Sequence, residues 1–175
     1  MYDPSTTTLK WTAYKYTSMI GVSGTFNQIE VGECVPAVSA RRAVENMNFS
    51  VNTQTLDSGS AFRDTNILDY FFSQLEGGEN LSGTITRFEG DTEKGIVYIA
   101  LTINGIEREI SFDYRIEGAM MYVEGDFSLS DFAATQALDY MENCCRQLHT
   151  GSDGIHLLWP NIRLEISTKL QSHKN

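Results

Sequence analysis

Phe49-Ser50-Val51-Asn52-Thr53-Gln54-Thr55-Leu56-Asp57-Ser58-Gly59-Ser60-Ala61-Phe62-Arg63-Asp64-Thr65-Asn66-Ile67-Leu68-Asp69-Tyr70-Phe71-Phe72-Ser73-Gln74-Leu75 holds two hydrophobic periods, and the switch between them decides the fold. Phe49, Val51 and Thr53 alternate with Ser50, Asn52 and Gln54, the period of a strand with one buried face. Asp57-Ser58-Gly59-Ser60 then supplies turn chemistry. Beyond it Ile67, Phe71 and Leu75 fall at i, i+4 and i+8, with Leu68 and Phe72 at i+1 and i+5, which predicts a short helix over about 65–75 with one apolar face. Asp64 is its predicted N-cap, and Arg63 and Asp64 sit where the two periods meet.

Working outward, the flanks are β. Leu9, Trp11 and Ala13 alternate in a first strand, and Gly24-Thr25-Phe26 leads through a bend into a short strand carrying Ile29 and Val31. The pattern is lost over 33–42, where a helical turn and a loop fit equally. Leu81, Gly83 and Ile85 resume the alternation. Val97, Ile99, Leu101 and Ile103 share one strand face, Asn104-Gly105 signals a tight hairpin, and Ile110, Phe112, Tyr114 and Ile116 return on the inward side. After Glu117-Gly118, Met121, Val123 and Phe127 share a face, with Gly125 read as a bulge or tight bend. Ala134, Leu138, Met141, Cys145 and Leu148 then follow a helical period, predicting a second helix over about 131–148, capped by Ser128 or Ser130 and closed by Gly151. Ile162, Leu164 and Ile166 form a last strand. About eight alternating strands joined by hairpins predict a closed antiparallel β-barrel, mainly β in class, whose interior takes either its own side chains or one slender apolar ligand.

Composition narrows the function classes. The 175 residues read as one domain, with 13 Lys and Arg against 23 Asp and Glu for a formal charge of −10. No basic cluster exceeds Arg41-Arg42, which argues against nucleic acid and anionic membrane partners, since both are bound by concentrated positive charge. No apolar run approaches the roughly 20 residues of a membrane span. The N-terminus carries no leader pattern, so the protein is either cytoplasmic or preceded by a leader outside this sequence. Three cysteines, Cys34, Cys144 and Cys145, are an odd number, and adjacent cysteines on a helix point to different sides, so no disulfide framework is read.

The combination of Trp11, Gly24-Thr25-Phe26, Asn48-Phe49-Ser50-Val51-Asn52, Arg63-Asp64 followed by Leu68 and Phe71-Phe72, Leu101-Thr102-Ile103-Asn104-Gly105-Ile106 and Asp131-Phe132 resembles the YceI-like family over nearly the whole chain. The resemblance implies a lipocalin-like eight-stranded barrel that holds a polyisoprenoid lipid, ubiquinone-like or octaprenyl-type, along its axis, and export to the periplasm. It implies no catalytic cofactor and no metal. Thr65-Asn66 and Asn104 stand where members of that family often carry histidine.

Candidate ligand contacts combine the resemblance with the inward faces. They are Trp11, Phe26, Phe49 and Val51 from the early strands; Arg63, Ile67, Phe71, Phe72 and Leu75 from the helix; and Val97, Ile99, Leu101, Ile103, Phe112, Tyr114, Met121, Val123, Phe127 and Phe132 from the later chain. Arg63 has two readings, a contact to a lipid head group or a structural partner of the helix start. An isoprenoid lipid is the expected partner, with a homodimer as a further expectation. The competing reading is a small lipocalin-like enzyme acting on a hydrophobic substrate through Cys145, His149 or His156, since Cys145 and His149 fall at i and i+4.

Overall fold

The computed structural model describes residues 4–32 and 39–170. Its framework is one antiparallel sheet. The segments are β1 (Thr8–Lys15), β2 (Ile20–Phe26), β3 (Ile29–Val31), β4 (Asn48–Asn52), β5 (Leu56–Asp57), β6 (Asn80–Gly90), β7 (Lys94–Ile103), β8 (Ile106–Glu117), β9 (Met120–Ser128) and β10 (Leu158–Lys169). The order across the sheet is β3-β4-β6-β7-β8-β9-β10-β1-β2-β5. Ten segments replace the expected eight because two stretches are each broken once. Asn27-Gln28 separates β2 from β3, and a 3-10 turn over Thr53–Thr55 separates β4 from β5. The broken stretches pair with each other, Thr25 opposite Asp57 and Ile29 opposite Val51, so the sheet curls round to meet itself along this seam. Between the two short ladders Asn27 N donates to Thr55 O at 3.0 Å and Asn52 N to Gln28 O at 3.2 Å.

Alternation translates directly into burial in the central hairpin. β7 and β8 stay in register from Lys94 opposite Arg115 to Ile103 opposite Ile106, and Asn104 and Gly105 both take positive φ, 54° and 68°, as a type I′ turn requires. Val97, Ile99, Leu101 and Ile103 are all buried on the inner face, as are Phe112, opposite Val97, and Tyr114, opposite Gly95. Gly125 departs from its expected role. It pairs regularly with Leu164, and a Cβ there would come within 2.7 Å of Phe112 Cδ1, so the glycine makes room for that ring and no bulge occurs.

Helices lie at both ends of the sheet, the first beside Gly90 and Asp91, whose carbonyls accept from Arg41, and the rest at the end that carries the Asn104-Gly105 turn. α1 (Ala40–Val44) is a single turn capped by Ser39, and residues 33–38, including Cys34, lie outside the described residues. α2 spans Ala61–Tyr70, four residues earlier than expected, because Ser60 is the N-cap, its hydroxyl accepting from Arg63 N. Asp64 lies in the first turn instead, and its carboxylate accepts from both the backbone N–H and the hydroxyl of Ser58. A 3-10 turn over Phe72–Gln74 finishes the segment. The expected long helix is divided into a 3-10 turn over Leu129–Phe132, then α3 (Thr135–Cys144) and α4 (Arg146–His149). Ser128 caps the 3-10 turn, and Ala133 turns left-handed at φ 50°, which no continuous helix tolerates. Thr150, in extended conformation, ends α4, so Gly151 is not its closing residue. No helix among the described residues is long and apolar enough to cross a membrane.

Candidate functional site: an apolar cavity with a cationic mouth

The curled sheet does not fill its interior. A cavity of about 320 Å³ runs along it, and a second of about 70 Å³ lies toward α1. Leu9, Phe49, Ile99 and Ile166 border both, so these four side chains form a waist between the two spaces. The ring of Phe49 reaches this position because Gly83 opposite it has no side chain; a Cβ there would be 2.4 Å from Phe49 Cζ.

Most of the predicted contacts converge on the larger cavity. Trp11, Phe26, Phe49, Val51, Arg63, Ile67, Phe71, Phe72, Leu75, Ile99, Leu101, Ile103, Phe112 and Phe127 all line it. Phe71 and Phe72 are both buried core and cavity wall, with ring centroids 5.1 Å apart and Phe72 edge-on to Phe26 at 6.1 Å. Val97, Met121 and Val123 line the smaller cavity instead. Tyr114 and Phe132 line neither. Tyr114 directs its hydroxyl to Asp91 O at 2.5 Å and its ring against Phe88, while Phe132, 0% exposed, packs edge-on to Phe127 behind the wall.

The mouth lies between the first turn of α2, the β1–β2 hairpin and the chain from α4 to β10. Ser60, Phe62, Arg63 and Asn66 line it from the first side, Tyr14 and Lys15 from the second, and Leu148, His149, Leu158 and Trp159 from the third. Tyr14 and Lys15 are consecutive, and in a regular strand they would face opposite ways. The register between β1 and β10 slips between Ala13 and Lys15, which allows both onto the lining. Arg63 donates one long hydrogen bond to Ser58 O at 3.3 Å, and Lys15 Nζ donates to Leu148 O at 3.2 Å. In a chain of net charge −10, the full charges that the described residues place on the cavity wall are these two cations, and none of the described lining residues is a carboxylate.

Sequence reading missed Lys15, Leu148, His149, Leu158 and Trp159 as wall residues, because α4 and the segment after it reach the mouth only through tertiary packing. Ile162, Leu164 and Ile166 also line the cavity, and their alternation was the available signal.

The thiol and imidazole candidates are distributed differently. Cys145 and His149 both line the cavity and are buried, whereas Cys144 is exposed. Burial raises the Cys145 thiol pKa, and proximity to Cys144 adds to this, the opposite of what an activated nucleophile requires. Burial lowers the His149 pKa from 6.5 to about 4, so its imidazole is neutral at ordinary pH. His156 stands 3.7 Å from Glu142, whose other carboxylate oxygen accepts from Leu158 N at 2.7 Å. Among the described residues no group of three or more His, Cys, Asp and Glu side chains is placed to hold a metal ion.

An antiparallel curled sheet round an apolar interior, with helices at its ends, is a lipocalin-like fold. The family model described as the YceI-like domain matches residues 1–169, and the chain belongs to the YceI-like family. Solved structures agree at the level of fold. BcnA of Burkholderia cenocepacia is 11% identical, with a TM-score of 0.66 over 98% of this chain and 100% of that one. A polyisoprenoid binding domain from Saccharophagus degradans, implicated in plant cell wall breakdown, is 11% identical, with a TM-score of 0.64 over 97% of each chain. A YCEI protein of Campylobacter jejuni is 20% identical, with a TM-score of 0.63 over 90% of each. No curated protein sequence matches the chain.

Proposed function

We propose that the protein binds a long-chain polyisoprenoid lipid, of isoprenoid-quinone or polyprenyl-phosphate type, for transport, storage or sequestration, and performs no reaction on it. The observation that carries this reading is the 320 Å³ cavity, whose wall is apolar apart from Ser82 and a mouth bearing Arg63 and Lys15. Each buried methylene gains about 0.8 kcal/mol, so a tail provides affinity that an apolar wall alone can supply. An unpaired polar head inside would cost several kcal/mol, whereas at the mouth it meets two cations and water. The polyisoprenoid binding domain of Saccharophagus degradans, with the same fold, supports the choice of lipid. A periplasmic or secreted location belongs to the same proposal.

Native mass spectrometry of the purified protein, followed by solvent extraction, tests it. A retained isoprenoid in the extract is the expected result. A protein that neither retains nor takes up any isoprenoid in detergent-free exchange would sink the reading.

A further inference from the structure

Two buried side-chain polar atoms among the described residues lack a hydrogen-bond partner, Trp11 Nε1 and His149 Nδ1, and both residues line the main cavity. The contrast with the second tryptophan is direct, since Trp159 Nε1 donates to Tyr16 O at 2.7 Å. An indole N–H is a donor and nothing else, and a buried donor left unmet carries the full cost of its desolvation. The ring of Trp11 cannot readily turn away. It lies against Gly24, where a Cβ would come within 2.5 Å of Cζ2, and it is only 8% exposed. A water beside it would need two to four polar partners, and the wall nearby presents Leu9, Ala13, Phe26 and Leu164.

Trp11 is four residues along β1 from Lys15, which places it roughly 13 Å below the mouth at about 3.3 Å per strand residue. A head group held by Lys15 and Arg63 does not reach it. We propose, building on the reading of the cavity as a lipid site and narrowing it to ligands without an anionic head, that a neutral carbonyl-bearing head enters the barrel and that Trp11 Nε1 donates to its oxygen. A carbonyl suits the place because it only accepts; a hydroxyl would bring a donor of its own, and an anionic oxygen would lie away from both cations on the wall. His149, next to the Leu148 carbonyl that binds Lys15, offers the second uncommitted polar atom nearer the entrance.

The two tryptophans supply their own control. In ¹⁵N-labelled protein, geranylgeranylacetone, an isoprenoid methyl ketone, is expected to move the Trp11 indole N–H resonance downfield and leave that of Trp159 in place. The hydrocarbon with the same skeleton but no oxygen is expected to bind without that shift. Trp11→Phe removes only the N–H donor and part of the ring, and it should weaken the ketone about fivefold to tenfold relative to the hydrocarbon. Two results would overturn the proposal while leaving the lipid reading standing. One is equal binding of ketone and hydrocarbon with no ketone-specific shift in the wild-type protein; the other is a Trp11 resonance already at its hydrogen-bonded position before ligand is added. If neither ligand binds, the lipid reading fails and takes this proposal with it.

Discussion

Phe49→Ala is the perturbation with the most to say about how the cavity measures a chain. At about 30 Å³ per non-hydrogen atom, 320 Å³ takes on the order of ten atoms or more, close to two isoprene units, before a tail meets the waist formed by Leu9, Phe49, Ile99 and Ile166. Affinity in the wild-type protein should therefore climb from short isoprenols to chains of about 10–15 carbons and then level off. Removing the Phe49 ring opens the waist and joins the 70 Å³ space beyond it. If only two further methylenes are buried, the gain is about 1.6 kcal/mol, more than tenfold in Kd, and it should appear only for the longer chains. Titration calorimetry with geraniol, farnesol and geranylgeraniol reads this directly. The variant loses up to about 3–5 kcal/mol of fold stability, less for a ring only half-buried, so its melting must be checked first. A folded Phe49→Ala protein whose affinity levels off at the same chain length as the wild type would refute the waist.

Arg63→Ala should weaken a pyrophosphate-headed isoprenoid by about 1–3 kcal/mol and leave a hydrocarbon of equal length unaffected. Because the Arg63 side chain is exposed and holds one long contact to Ser58 O, its melting temperature should hardly move; equal losses for both ligands in a calorimetric comparison would assign it to the fold. His149 has its pKa lowered to about 4, so the fold favours the neutral form: that contribution is complete above pH 6.5 and is lost as pH falls toward 4. The loss at pH 4.5 should be about 2–3 kcal/mol by urea titration, and a folded His149→Leu protein should lack that part of the acid slope. Gly24→Ala should destabilise by about 1–3 kcal/mol and disturb Trp11 fluorescence, since its Cβ would meet both the indole and Asp57 O at 2.7 Å; unchanged melting and emission would contradict the packing.

Where the sequence was legible, local chemistry and tertiary packing asked for the same residue. Asn104-Gly105 is the turn that a tight hairpin selects, and the strands on either side alternate without a break, so β7, β8 and their inner faces follow from pattern alone. The start of α2 was misplaced because Ser60 and Asp64 are both good caps; the carboxylate went to Ser58 and left the hydroxyl to begin the helix. The period from Ala134 to Leu148 is helical in spacing, yet nothing local announced the left-handed turn at Ala133 or the break at Cys145. The apolar walls of the site were readable because alternation chooses a face. Lys15 was not, since a register slip brings it round to the mouth, and His149 and Trp159 arrive there from an element whose docking no periodicity records.

The position of β10 in the sheet has a consequence for synthesis. β10 lies between β9 and β1, so Thr8 pairs with Ser167 and Leu9 with Ile166, across almost the full length of the described chain. Ile162, Leu164 and Ile166 are also wall residues of the cavity. On the ribosome, then, everything from the first strand to α4 can emerge and pair while the chamber still lacks a side, and the apolar faces of β1 and β9 wait with unpaired edges. Closing a ladder between such distant residues is slow, and exposed edges of this kind invite pairing with the wrong chain. A nascent chain stalled before residue 158 should depend on chaperones far more than one released after 169, and a lipid supplied during synthesis can be enclosed only at the last step.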